Sequence, residues 1–276
     1  MEQPIIVGVA DADEARDAVA FGVDLARGLG APLVVAGICV PVPGPAEVGH
    51  LDLARDQTER RLQDALQRVP PDVDASLIVR VARSPVQGLH ELAEHRDAAA
   101  LVLGPTHLGR AGRALLGDVA LIALHAAPCA VAVAPDGYAE RAGSAPRTIG
   151  VGLVDTPEAR DALDLAIDLA ERLGARLRLI HVETGAQAAA SAQLLEPARA
   201  TVADRVAVET DVRRGDVGHE LAAAGEDLDL LVLGSRAYGP LQRLLLGSVS
   251  RQVVHAARCP LLVLPRSVRR HAEVIA

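Results

Sequence analysis

The chain has 276 residues, half of them hydrophobic but only 1% aromatic, with no Trp and a formal charge of −8. A core of Val, Leu, Ile and Ala suits strands buried on both faces by helices, and an acidic balance argues against general binding to nucleic acid or to anionic membranes. All 28 basic residues are Arg, which excludes a phosphate-loop, Schiff-base or kinase-type lysine.

In chain order, Met1 and Glu2 lead straight into a strand-like run, so no signal peptide is expected. Residues 5–10 are an apolar run of strand length, and 14–29 are amphipathic at helical spacing. A strand over 32–40, a long helix over 46–69 and a strand over 73–81 follow. Pro85 opens a helix at the first turn, where its missing N–H costs nothing. Residues 99–103 form a fourth strand, 115–125 a helix and 130–134 a fifth strand. The most apolar stretch, 119–134, is interrupted by His125 and Pro128 and is too short to span a bilayer. Residues 136–146, rich in Gly, Ser, Ala and charge, read as a linker. The second half repeats the alternation over 149–154, 157–173, 176–182, 188–203, 205–212, 217–224, 228–233, 248–257 and 260–264.

The two halves are copies. Residues 104–135 and 234–265 align without a gap and share 13 of 32 positions, among them Gly104/Gly234, Gly117/Gly247, His125/His255 and Cys129/Cys259. Near the start of each half, Gly8 and Asp11 with Glu14-Ala-Arg-Asp17 match Gly152 and Asp155 with Glu158-Ala-Arg-Asp161. A period this long marks a domain duplication rather than a solenoid. Two α/β domains are expected, residues 1–140 and 147–276, each with a parallel sheet covered by helices on both faces.

Open parallel sheets bind ligands beyond the carboxyl ends of their strands, where the strand order reverses. After the fourth strand of the second copy stand Gly234, Ser235, Arg236, Ala237, Tyr238 and Gly239, followed by Gly247-Ser248-Val249-Ser250 at a helix start. Glycines let backbone amides approach a ligand. A Gly-Ser pair opening a helix aims free N–H groups and the positive dipole end at one point, which suits a phosphate. The same pattern also serves as an ordinary helix cap. No Walker lysine follows, and Asp155-Thr156-Pro157 after the first strand is no dinucleotide-binding glycine turn.

With these residues in place the chain resembles the universal stress protein family in its tandem form, over nearly its whole length. The nucleotide-binding branch of that family carries G-x2-G-x9-G-[ST] after strand four. Gly234 fills the first position and Gly247-Ser248 the last pair, with Val249 and Ser250 beyond, but Ala237 stands at the second glycine. Ala resists positive φ, which loosens the loop unless Gly239 compensates. The resemblance implies that Asp155 contacts the nucleoside, that His181-Val182 lines the adenine pocket, and that each sheet has five strands in order 3-2-1-4-5. It further implies ATP, with Mg as its counter-ion, as the ligand, and pairing of domains through their fifth strands as an intramolecular pseudo-dimer or a homodimer.

The first copy departs further. His107 replaces the second glycine and Asp118 the final Ser or Thr. A carboxylate there caps the helix and opposes a phosphate, so this site is expected to be empty, although Asp11 and Ile38 still match the nucleoside side. Cys39, Cys129 and Cys259 form no metal pattern and read as buried apolar residues. His90 and His95 fall on different helix faces, and His125 and His255 sit near helix ends that suit imidazole. Asp155 with His181 has neither nucleophile nor activating base beside it. Arg236 is the better phosphate candidate, because Arg243 is repeated as Arg113 in the defective copy. The run from Arg266 to Arg270 reads as a solvated terminus.

The expected protein is a cytoplasmic, ATP-binding stress or regulatory protein with one competent site, in the second domain. Turnover of ATP would be slow or absent, and binding would act on an unidentified protein partner. The alternative is a tandem scaffold that docks a partner without nucleotide, which Ala237 favours. An enzyme related to adenine-nucleotide hydrolases fits the fold but lacks catalytic residues.

Overall fold

The computed structural model describes residues 3–10, 15–41, 47–104, 122–124, 127–184, 188–235 and 248–265. The chain divides into two compact units that meet in sequence between Ser144 and Ala145. In the first unit, strands β1 (Ile5–Gly8), β2 (Leu33–Cys39), β3 (Ala75–Val81), β4 (Ala100–Leu103) and β5 (Ala130–Val133) lie parallel in the order β3-β2-β1-β4-β5. The second unit repeats this with β6 (Thr148–Gly152), β7 (Arg176–Glu183), β8 (Val208–Arg214), β9 (Leu230–Gly234) and β10 (Leu261–Leu264), in the order β8-β7-β6-β9-β10. Both are the expected 3-2-1-4-5 arrangement.

Helices cover both faces of each sheet. Successive strand residues point to opposite faces, so Val7 and Gly8 report one face each. Helix α1 (Arg16–Leu29) packs on the Val7 side, where a Cβ added to its Gly22 would stand 2.4 Å from Val7 Cγ2. Helix α2 (Glu47–Leu66) shares that side through Thr58 against Gly37. Helix α3 (Pro85–Arg96) lies opposite, with Leu89 against Gly8. In the second unit α4 (Pro157–Leu173) and α6 (Val217–Ala224) divide the faces in the same way, α6 placing Leu221 against Gly152. Two further helices of this unit are α5 (Ala188–Ala203) and α7 (Ser248–Ala256).

Local signals set the helix starts. The Ser84 hydroxyl accepts from the Gln87 amide at 3.2 Å with Pro85 at the first helical position, and Thr156 does the same for Ala159 ahead of Pro157. Each cap satisfies an amide that the helix leaves unpaired. All three cysteines are buried and outside any disulfide, and burial pushes the Cys129 thiol up to about 12. Among the described residues no helix is long and apolar enough to cross a membrane.

Two expectations need correction. The third strand of the second unit begins at Val208 and runs through Arg214, rather than over 205–212. Arg205 and Val206 both donate backwards to the Val202 carbonyl and so extend the exit of α5. The segment read as a linker is a strap. Its Tyr138–Glu140 turn lies along α1, with the Gly137 and Ala139 amides donating to Asp17 at 3.0 and 2.8 Å. The Tyr138 phenol donates to Asp24 at 2.8 Å, and the Gly143 amide reaches the same carboxylate at 3.1 Å. Gly143 has φ of 109°, which a side chain would strain. The Tyr138 ring meets Phe21 edge-on at 5.2 Å, with the Arg141 guanidinium 6.0 Å from its centroid. Phe21 is the chain's one phenylalanine, and it is fully buried there. The expected helix over 115–125 lies largely outside the described residues.

Candidate functional site

The crevice of the second unit opens at the carboxyl end of β6, where the strand order reverses: β7 and β8 continue on one side of it, β9 and β10 on the other. The turn leaving β6 and the end of β9 are in direct contact. A Cβ on Gly234 would stand 2.2 Å from the Glu158 carbonyl oxygen and 3.1 Å from the Ala159 nitrogen, so only glycine lets the first turn of α4 close on β9. Asp155 and Thr156 therefore sit beside Gly234 and Ser235. Helix α7 joins the parallel neighbours β9 and β10, so it runs back against their direction and its Ser248 end lies toward the carboxyl edge.

The β7 side of the crevice is built by register. Leu153 donates its amide to Ile180 at 2.7 Å, and its carbonyl accepts from His181 Nδ1 at 2.9 Å. The imidazole thus ties the ends of β6 and β7 together, a positioning role. Val182 is buried and offers an apolar wall. Asp155 stands out from this framework with its side chain 77% exposed, accepting from Arg160 Nη2 at 2.6 Å.

Of the expected site residues, Asp155, Val182, Gly234 and Ser235 gather at this edge. Ser235 is buried, and its amide donates to Leu264 at 3.0 Å. Val249 is half-buried and Ser250 buried in the first turn of α7. Arg236, Ala237, Gly239 and Gly247 lie outside the described residues, as do Asp11, His107 and Asp118 of the first copy; Ser248 is described by its backbone alone.

One cluster escapes sequence reading. Glu183, the last residue of β7, is buried, and its carboxylate accepts from the Ser191 hydroxyl of α5 and, at 2.8 Å, from Arg214 Nε at the end of β8. The Ser191 bond first, and the Arg214 guanidinium second, hold this carboxyl below the usual glutamate range. The first copy has Cys39 and Val81 at the corresponding register positions, and Cys39 donates to Thr58 of α2. A thiol–hydroxyl contact there stands in the place of the ion pair here. Glu183 directly after His181-Val182 was the one visible hint.

Each unit is thus a doubly wound parallel sheet with a crevice at its strand-order switch. Residues 1–135 and 146–265 match the Universal stress protein family, and the chain belongs to that family. It is 29% identical over 290 aligned positions to the universal stress protein Rv2319c of Mycobacterium tuberculosis, covering 95% of this chain and 99% of that one. It is 27% identical over 288 positions to the universal stress protein Rv2005c of the same species, covering 95% and 97%. A universal stress protein structure from Archaeoglobus fulgidus superposes with a TM-score of 0.71 at 17% identity, covering 95% of this chain and 96% of the other.

Proposed function

We propose that the chain is a nucleotide-responsive regulatory protein that binds ATP, with Mg, at the carboxyl edge of the second unit. The observation that carries this reading is the contact of Gly234 with the first turn of α4, which sets the loop bearing Asp155 against the end of β9, with the buried Val182 across β6 at the end of β7. The exposed Asp155 carboxylate is suited to accept from ribose hydroxyls, and Val182 to cover one face of the base. Ser248 at the head of α7 suits the phosphates, helped by the amides of Gly247 and Val249. Ser250 and Arg236 complete the proposed phosphate side, with Ala237 and Gly239 setting its loop. The residues fit positioning better than turnover, because the His181 imidazole is bonded to the Leu153 carbonyl and the Asp155 carboxylate to Arg160. A cytoplasmic setting belongs to the same reading and is supported by three buried cysteines that form no disulfide.

Calorimetry with Mg-ATP tests it. Saturable binding to the wild type, lost in Gly247→Asp, is expected, since that change imports the first copy's acidic cap. No heat from the wild type, or undiminished binding by the variant, overturns the assignment. A partner-docking scaffold without nucleotide remains the competing reading on the strength of Ala237. It predicts purified protein with no adenine absorbance and no thermal shift across a nucleotide panel.

A further inference from the structure

Strand β3 ends the sheet of the first unit, and its outer side carries a row of backbone groups. The Leu33 amide donates to the Asp74 carbonyl and the Ala82 amide to the Cys39 carbonyl, which fixes the phase of the ladder with β2. In a parallel pair, alternate residues turn both N–H and C=O to the same neighbour. Ser76, Ile78 and Arg80 therefore face β2, and Ala75, Leu77, Val79 and Val81 turn their backbone groups outward. Among the described residues β3 pairs with no strand on that side.

An open edge is a template for another strand, and proteins commonly guard it with charge, proline or a bulge. The matching edge of the second unit is guarded. β8 carries Glu209, Asp211, Arg213 and Arg214, and full antiparallel overlap of two copies of it would set Asp211 against Asp211. β3 reads Ala-Ser-Leu-Ile-Val-Arg-Val. Its one charge, Arg80, is drawn onto α3 by Glu91 at 2.9 Å, and Val81 at its end is 42% exposed.

The strand is also complementary to itself. Two copies laid antiparallel about a two-fold axis at Ile78 pair Leu77 with Val79 and Ala75 with Val81. These are the residues whose amides and carbonyls point outward, and each such pair exchanges two N–H···O bonds. Ile78 meets its own copy, and Arg80 falls opposite Ser76, so no like charges face each other. Contact of one patch with itself closes on two chains.

We propose that β3 is an interface with a second copy of this chain, joined by antiparallel strand addition centred on Ile78. It is distinct from the pairing through fifth strands that the family resemblance implies. The paired stretch is seven residues long, so the association is concentration-dependent rather than permanent. The inference is independent of the nucleotide reading, because it concerns the outer edge of the first unit and its test needs no ligand.

The test is disulfide trapping between full-length chains. Ile78→Cys sets each new thiol opposite its own copy in a non-hydrogen-bonded pair, where Cα atoms stand about 4.5 Å apart, within disulfide reach. Ser76→Cys is the control. It is the more exposed position, yet in this register it lies roughly 13 Å along the strand from its copy, out of reach. The native thiols are buried, which leaves the introduced one as the reactive group. Docking predicts covalent dimer under mild oxidation at least about tenfold faster for Ile78→Cys than for Ser76→Cys, because the docked thiols have a higher local concentration. Adding Ser76→Arg, which places an arginine opposite Arg80 at both ends of the pair, should slow Ile78→Cys trapping about fivefold, and adding Ser76→Asp should not slow it. Equal rates at the two positions, or faster trapping at Ser76→Cys, overturn the inference. So does an Ile78→Cys rate that Ser76→Arg leaves unchanged.

Discussion

Tyr138 and Asp24 are joined by a 2.8 Å hydrogen bond across 114 residues of sequence, both of them buried. The bond explains why α1 carries a buried acid beneath the strap, where a carboxylate without partners would be costly. Asp24→Ala leaves the phenol and the Gly143 amide without their acceptor, and a loss of about 1–3 kcal/mol is expected. Tyr138→Phe, which keeps the ring on Phe21, should cost less. Urea unfolding of the two variants checks the order, and equal losses would contradict it.

Gly234→Ala tests the contact that builds the crevice. The added Cβ meets backbone, the Glu158 carbonyl oxygen at 2.2 Å, and backbone in a helix cannot swing aside. About 1–3 kcal/mol of destabilisation is expected. Gly152→Ala at the end of the neighbouring strand meets the Leu233 side chain at 2.9 Å, which can move. A Gly152 variant less stable than the Gly234 variant in thermal melts would sink this account.

The Glu183 clamp has a signed dependence on pH. Its carboxyl is depressed in the folded state by Ser191 and Arg214. Its contribution is therefore present above the unfolded value of about 4.3 and is lost as the pH falls through the folded value. Stability measured from neutral pH downward should decline in that acid window. Glu183→Gln should flatten part of the decline, and an unchanged slope would exclude the clamp as a contributor.

Thiol labelling measures the core directly. Cys129 is buried with its thiol pushed up to about 12, so almost none of it is thiolate at pH 8, and thiolate is the reactive form. Native protein should consume little alkylating reagent at pH 8, and denatured protein three equivalents per chain. Rapid native labelling of Cys129 would contradict its placement.

The strands were legible because strands buried on both faces are plain apolar runs, as in Ile5–Gly8 and Leu230–Gly234. The helix starts were legible from Pro85 and Pro157 behind their capping hydroxyls. β8 was misplaced because it lies at the sheet edge, with exposed Glu209 and Thr210 that give no apolar run. The strap was missed because Gly137, Gly143 and Ser144 have the composition of a loop, while what orders them is a pair of acids over a hundred residues earlier. Glu183 and Arg214 meet only through the register of β7 with β8, which no local pattern encodes. At the crevice the sequence named Asp155, Val182, Gly234 and Ser235, but not Arg160, which holds Asp155 in this structure.

The strap also redraws where the molecule can be cut. The visible seam between the repeats follows Pro135, yet Gly137, Ala139 and Gly143 beyond it are bonded to the first helix. A fragment or permutant ended at that seam would expose Phe21 and strand two carboxylates in an apolar bed. Any exchange of halves between tandem relatives has to carry the segment through Gly143 with the half that precedes it, so the duplication is modular only at a joint that its own repeat pattern does not mark.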